Sequence, residues 1–311
     1  MPSNHSNQKL NNLPNTLSSQ SPLVSIGIPV YNSDSTLAAA IESALAQDYE
    51  NLEIIISNNA STDNSAKICK SYQNQDSRIV FYEQSENIGA LRNFTFLLGE
   101  ARGDYFKWLA ADDVISKNSV SSCMTVLQEN PQSVACASPH LFDHEYSANK
   151  TPISFQLSGS EYSRINGFFK SPGRSHGLFY ALIKRDELLS YPLLSVDFFA
   201  ADWCLILYLL SKGPIESAQN TYLQSGSSGL SSSDAIYVHY GLTGWRRVLP
   251  LREFTFAAVE TSMNWTKLAR ILLYLFLLRL NLKTLLLEYR ILRYRFSGLR
   301  KRAILLFKKF C

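Results

Sequence analysis

Two adjacent carboxylates, Asp112 and Asp113, close the apolar run Lys107-Trp108-Leu109-Ala110-Ala111. An oxygen-rich pair of this kind suits Mg2+ or Mn2+, hard cations that share their shell with substrate phosphates and water. Asp is also a good helix cap, and residues 114–130 read as helical, so one Asp can do both jobs. Two earlier polar loops offer a second chemistry. In Pro29-Val30-Tyr31-Asn32 the tyrosine presents a flat face on which a base can stack, and Asn58-Asn59-Ala60-Ser61-Thr62-Asp63 presents amides with paired donors and acceptors. Asn, Ser and Asp also dominate ordinary turns, which is the plainer explanation of each loop taken singly. Arg92 carries a planar fork that fits a phosphate, or else is a solvated surface arginine.

The elements that must position these residues follow from the apolar pattern. Runs at 24–30, 53–57, 78–82 and 104–109 read as strands. Between them Leu37, Ile41 and Leu45 keep helical spacing after a Ser33 or Ser35 cap, residues 64–72 follow a polar cap, and a third helix runs from Asn87-Ile88-Gly89 to about Glu100. A βαβ series of this kind builds a parallel sheet with helices on its faces. Such sheets bind ligands beyond the carboxyl ends of their strands, which is where the acid pair and both polar loops fall. The second half is less regular. A strand is expected at 133–139, loop at 151–174, a strand at 177–183 followed by a short helix from Arg185, and a Ser/Gly-rich mobile loop at 224–233. Asp202 stands just ahead of Trp203 and a long apolar helix face.

Composition narrows the function classes. The 311 residues are enough for one or two cored domains. Five cysteines are scattered without a C-x-x-C pair, which suits a reducing cytosol and neither a zinc site nor a disulfide framework. Residues 1–21 are rich in Asn, Ser, Gln and Pro without an apolar core, and read as a disordered tail, not a signal peptide. The net charge of +4 is unevenly spread: residues 265–311 hold 12 Lys and Arg against one acid, a net +11, leaving −7 for the rest. That asymmetry argues against nucleic acid as a partner and for an anionic surface near the last segment. With no G-x-G-x-x-G and no G-x-x-x-x-G-K-[ST], dinucleotide and P-loop readings have no support.

Taken in order, Val24-Ser-Ile-Gly-Ile-Pro-Val-Tyr-Asn32, Gln47-Asp-Tyr-Glu-Asn-Leu-Glu-Ile55, Ser57-Asn-Asn-Ala-Ser-Thr-Asp63, Asn87-Ile-Gly89 with Arg92-Asn93, and Asp112-Asp113 resemble the family-2 glycosyltransferases, strongly over 23–115 and weakly over 116–233. The resemblance implies an α/β, GT-A-like, Rossmann-type and mostly parallel sheet flanked by helices, with a C-terminal helical extension. It implies a nucleotide-sugar donor, UDP-sugars favoured. Pro29, Val30, Tyr31 and Asn32 would line the nucleoside pocket, and Asn58 and Asn59 stand where the family usually carries acids that read the base. Arg92 would lie near the donor phosphates, with Asp112 and Asp113 holding Mg2+ or Mn2+. The commoner family form has another acid at the place of Ala110. The family's general base usually begins a helix beyond the sheet, which makes Asp202 the choice and Asp197 its rival; a helix cap is the alternative role for Asp202. His176 is either an acceptor contact or a loop histidine, and His140, His144 and His239 show no ligand spacing.

The expected organisation is therefore a tail over 1–21, a glycosyltransferase domain over 22–233 with its nucleotide half at 22–115 and acceptor half at 116–233, and a basic, apolar helical region over 234–311. Within 268–282 the longest uncharged stretch is 271–278, far short of the roughly 20 residues that span a bilayer. Apolar residues mixed with cations suit helices lying in the interface of an anionic leaflet, each exposed cation contributing about 1 kcal/mol; a helical hairpin packed on the domain is the alternative. The expected activity is inverting sugar transfer to a hydroxyl of a glycan or lipid-linked acceptor in cell-surface polysaccharide synthesis, at the cytoplasmic face of the membrane. The rivals are a nucleotidyltransferase, which would want a Gly-rich basic loop after the first strand, and a membrane-bound module without turnover.

Overall fold

A computed structural model describes residues 21–142, 154–170, 176–192, 194, 196, 200–226 and 251–282. The first half alternates strand and helix: β1 (Val24–Val30), α1 (Leu37–Leu45), β2 (Leu52–Asn58), α2 (Ser65–Gln75), β3 (Ile79–Glu83), α3 (Ala90–Glu100) and β4 (Tyr105–Trp108). There follow β5 (Val114–Ile115), α4 (Ser119–Glu129), β6 (Ala135–Ala137), β7 (His140–Phe142), α5 (Glu161–Lys170), α6 (His176–Phe179), β8 (Leu182–Lys184), α7 (Arg185–Leu189) and α8 (Ala201–Lys212). Then come β9 (Ile215–Ser217), β10 (Leu223–Ser225), α9 (Arg252–Thr261) and a further helix over 267–282.

Seven strands form one sheet in the order β3-β2-β1-β4-β8-β6-β9, and β5-β10-β7 form a small second sheet. β1 to β4 are mutually parallel where they pair, and β8 alone runs against its neighbours β4 and β6. The period of two along each strand feeds two cores. Val24, Ile26, Ile28, Val30, Ile54 and Ile56 pack with α1 and α4 on one face, while Ile55, Phe106 and Trp108 pack with α3 and α8 on the other. Both faces are covered, so the strands are mostly apolar; their polar exceptions Ser25 and Glu53 join a buried knot that fixes the turn from α3 into β4. There Glu53 accepts from Ser25 Oγ at 2.6 Å and from the Arg102 backbone N–H at 2.7 Å. Burial pushes the Glu53 carboxyl up, but the hydrogen bonds from Ser25 and Arg102 outweigh it and hold it below the usual carboxylate range.

The second half departs from the expected elements in four places. Residues 114–130 are not one helix: β5 comes first, because Val114 and Ile115 pair with β10 more than a hundred residues away, and α4 begins only at Ser119. The span 177–183 opens with helix α6 and becomes strand only at Leu182. The stretch expected as loop contains α5, whose Ile165 and Phe168 are fully buried. Leu223–Ser225 is strand β10, so Gln224 and Ser225 belong to the second sheet rather than to a loop. Asp197, His144 and His239 lie outside the described residues, as do residues 227–233 of the expected loop and 1–20 of the expected tail.

Candidate active site

Because β1 lies between β2 and β4 with both parallel to it, the carboxyl ends of the three strands sit side by side on one edge. Val30 pairs with Asn58, and the Leu109 N–H donates to Gly27 O at 3.0 Å, so Tyr31, Asn58 and the chain leading to Asp112 leave the sheet on the same rim. Tyr31 is 50% exposed there. The loops after β1 and β2 are joined by their polar side chains. Asn32 N–H donates to Ser61 Oγ at 2.9 Å, Thr62 N–H to Asn32 Oδ1 at 2.8 Å, and Asp34 N–H to Asp63 Oδ2 at 3.0 Å. Asp63 also accepts from Ser65 N–H at the start of α2, while α1 begins without a side-chain cap. Asn32 and Ala60 hold positive φ of 49° and 55°, a conformation that costs L residues energy and persists because the surrounding bonds enforce it.

Several predicted donor residues turn inward. The Val30 side chain is in the core and its carbonyl accepts from Asn59 N–H at 2.8 Å. Asn58 is 1% exposed, its Oδ1 accepting from Ser61 N–H. Asn59 donates through Nδ2 to Asn87 Oδ1 and Gly89 O, and accepts from Ile88 N–H at 2.9 Å. It thus clamps the loop that leads through Gly89, at φ 88°, into α3. Pro29 is half-buried, and Arg92 is exposed on the opening turns of α3.

Asp112 and Asp113 follow β4 and lead straight into β5. Asp113 is 3% exposed and accepts from Gly226 N–H at 3.1 Å and from the Ser225 side chain. Burial, then the neighbouring Asp112 charge, push the Asp113 carboxyl up to about 7, with Gly226, Ser225 and Lys107 pulling the other way. Ser225 Oγ lies 2.6 Å from His140 Nε2, so the hydroxyl links the imidazole to the Asp113 carboxyl. Below the pair, Lys107 is almost fully buried and its Nζ donates to the Tyr180 carbonyl. Asp112, half-buried at the rim, packs against the end of β10. A Cβ built on Gly226 would stand 2.5 Å from Asp112 O and 2.7 Å from its Oδ2. Gly226→Ala must therefore displace Asp112 and its backbone; we expect turnover to fall about 10–100-fold and the melting temperature to fall with it, a result read from parallel turnover and thermal-melt measurements.

Asp202 lies in the first turn of α8, after Ala200 at φ 67°. Burial and then the carboxylates of Asp113, Asp112 and Asp202 all push the Tyr180 phenol upward, so the three acids lie within electrostatic reach of one ring. An aromatic column holds that region. Phe179, next to Tyr180, stacks on Trp108 at 4.8 Å between centroids, and Trp108 Nε1 donates to Phe94 O. Among the described residues no three His, Cys, Asp or Glu side chains gather as a metal cage. What is present, two adjacent carboxylates of which Asp112 is half-buried at the rim, is an oxygen donor pair of the kind a hard cation takes beside water and phosphate oxygens.

The sequence model described as Glycosyl transferase family 2 matches residues 25–186, just over half of the chain. The chain belongs to glycosyl transferase family 2. Glycosyltransferase GlyG of Streptococcus pneumoniae serotype 4 is 31% identical over 123 residues, covering 40% of this chain and 41% of that protein. A glycosyltransferase of Rickettsia typhi described as uncharacterized is 39% identical over 109 residues, 35% of this chain and 33% of its own. The chain thus spans less than half the length of these curated relatives. Among solved structures, residues 1–349 of S. aureus TarS in complex with UDP-GlcNAc superpose with a TM-score of 0.59 at 15% identity, over 82% of this chain and 70% of that one. The mannosyltransferase PcManGT of Pyrobaculum calidifontis, in complex with GDP-Man and Mn2+, gives 0.57 at 16% identity, over 86% and 73%. The family-2 chain has the GT-A fold of these neighbours.

Residue types alone do not reveal four residues that the structure sets near the acid pair. His140, Tyr180, Ser225 and Gly226 come from β7, the turn after α6, β10 and the residue that follows it, segments whose partners are distant in sequence. The one available signal is the register of β5 and β10. Leu223 pairs with Ile115 and Gln224 with Val114, and the same antiparallel count carried two residues further sets Gly226 opposite Asp112.

Proposed function

We propose that the chain is an inverting glycosyltransferase that moves a sugar from a nucleoside-diphosphate donor, UDP-sugars favoured, to a hydroxyl of a glycan or lipid-linked acceptor in cell-surface polysaccharide synthesis. The observation that carries this reading is the shared rim, where three parallel strand ends bring an exposed Tyr31, the joined polar loops and the acid pair to one edge of a GT-A sheet. The printed descriptions of the relatives and neighbours, glycosyltransferases and complexes with UDP-GlcNAc and GDP-Man, support it. Tyr31 stacks on the base. The Asn58 and Asn59 amides, held by protein partners, set the shape of the pocket floor, and Arg92 reaches a donor phosphate.

Asp112 and Asp113 would hold Mg2+ or Mn2+, Asp112 through its rim position and Asp113 as the anchored neighbour. When bound, the ion offsets the charge that grows on the departing nucleoside diphosphate. Asp202 takes the acceptor hydroxyl's proton as that oxygen attacks the anomeric carbon from the face opposite the leaving group. Ala110, where the family usually places an acid, favours one rival, a donor-binding module without turnover.

A panel of UDP-, GDP- and dTDP-sugars, each with and without Mn2+, tests the reading. A UDP-sugar at about 100 times its Kd should stabilise the fold by about 2.7 kcal/mol and raise the melting temperature by several degrees, more with Mn2+ than without. Absence of any shift across the panel would refute the reading. A shift without release of nucleoside diphosphate to any hydroxyl acceptor would favour the module.

A further inference from the structure

The helix over 267–282 is apolar on two sides. Ala269, Leu273 and Leu277 face the domain core, and Phe276 stacks on Phe169 of α5 at 3.9 Å. The opposite side presents Leu268, Ile271, Leu275, Leu278 and Leu282, each about half to three-fifths exposed, with Tyr274 beside them. Five residues spaced three and four apart make one continuous stripe along the helix. On a monomer's surface, large apolar side chains gathered in this way mark an interaction face.

The spacing fits a lipid surface or a partner helix equally well, and the charges separate the two. The exposed arc contains Lys267 and Arg279 and no acid. Over residues 265–311 the chain carries 12 Lys and Arg against one acid. Pairing two copies through this stripe would bring Lys267, Arg270 and Arg279 of both helices together, with no acid on the helix to relieve them. An anionic bilayer accepts the stripe into its interface and neutralises the cations at the same time. The 16 described residues of the helix span about 24 Å, and among the described residues no helix is long and apolar enough to cross a bilayer.

We propose that this stripe docks flat on an anionic lipid surface, Leu268, Ile271, Leu275, Leu278 and Leu282 entering the headgroup boundary while Lys267 and Arg279 meet lipid phosphates. Docking there is independent of the chemistry at the strand rim, and holds whether or not the donor assignment does.

The test is co-sedimentation of the full chain with vesicles of phosphatidylcholine alone and of phosphatidylcholine mixed with phosphatidylglycerol. Binding should be confined to the mixed vesicles and weaken as salt rises. Leu275→Glu with Leu278→Glu should lower the bound fraction about tenfold or more, with an unchanged thermal midpoint, since both side chains are solvent-facing. Equal binding to both lipids, or binding undiminished in the double variant, overturns the proposal. So does a wild-type dimer in solution that the double variant dissociates and that ignores vesicles. A second reading does not depend on the double variant folding: Leu278→Trp fluorescence should shift to the blue and be quenched by brominated lipid of the mixed composition. An unquenched signal also overturns the proposal.

Discussion

Asp112→Ala is expected to give a folded protein that no longer gains stability from Mn2+ with donor and that turns over about 10²–10³-fold more slowly. The expectation rests on an asymmetry between two neighbouring carboxylates. Asp113 is buried, with its oxygens engaged by Gly226 N–H and Ser225, whereas Asp112 stands at the rim against the end of β10. Removing Asp112 takes away the more accessible charge and leaves the internal bonds of Asp113 in place. It also lifts the repulsion that contributes to the high Asp113 pKa, so the thermal midpoint should hold or rise slightly. Nucleoside diphosphate release, measured across an Mn2+ titration beside a thermal melt, reads both halves. Wild-type turnover in the variant would remove the acid pair from the mechanism.

The second large effect is expected at Asp202. Asparagine has nearly the same shape, and Ala200, not Asp202, is the N-cap of α8, so Asp202→Asn should preserve the opening of the helix apart from a small loss of helix-dipole stabilisation. What it lacks is a lone pair basic enough to take a proton from the acceptor. General-base removal typically costs about 10²–10⁴-fold in rate, and here the loss should fall on kcat while the donor-induced rise in melting temperature survives. That pattern separates Asp202 from Asp112, whose loss removes metal-dependent donor stabilisation as well. A variant with normal kcat, or one that loses donor stabilisation in step with turnover, would contradict the assignment.

The first half of this fold was legible for a physical reason. β1 and β2 are covered on both faces, so their sequences are predominantly β-branched and aliphatic, and the loops that follow are marked by turn residues such as Asn32 and Asp63. β5 and β10 show the opposite case. They are two and three residues long, exist only as partners of each other and of β7, and carry no local pattern that a window of sequence could detect. The same reason explains α6: Gly177 sits 3.1 Å by its virtual Cβ from the His140 side chain, a long-range contact that a strand-like run of residues cannot announce. The rim residues Tyr31, Asn32, Asp112 and Asp113 were visible as side-chain chemistry. Their orientation was not, and it is orientation that sets Asn59 to clamping a loop and Asp113 to accepting from Gly226.

The bond from Gly226 to Asp113 joins residues 113 positions apart, and this has a bearing on how the protein is made. A chain leaving the ribosome can lay down β1 to β4 while its second half is still being translated. The acid pair waits longer. Until Leu223, Ser225 and Gly226 have emerged and paired beside β5, a nascent chain has its sheet but lacks the backbone donor that orients Asp113, so the acid pair is set in place late in synthesis, after β1 to β4 can already be standing.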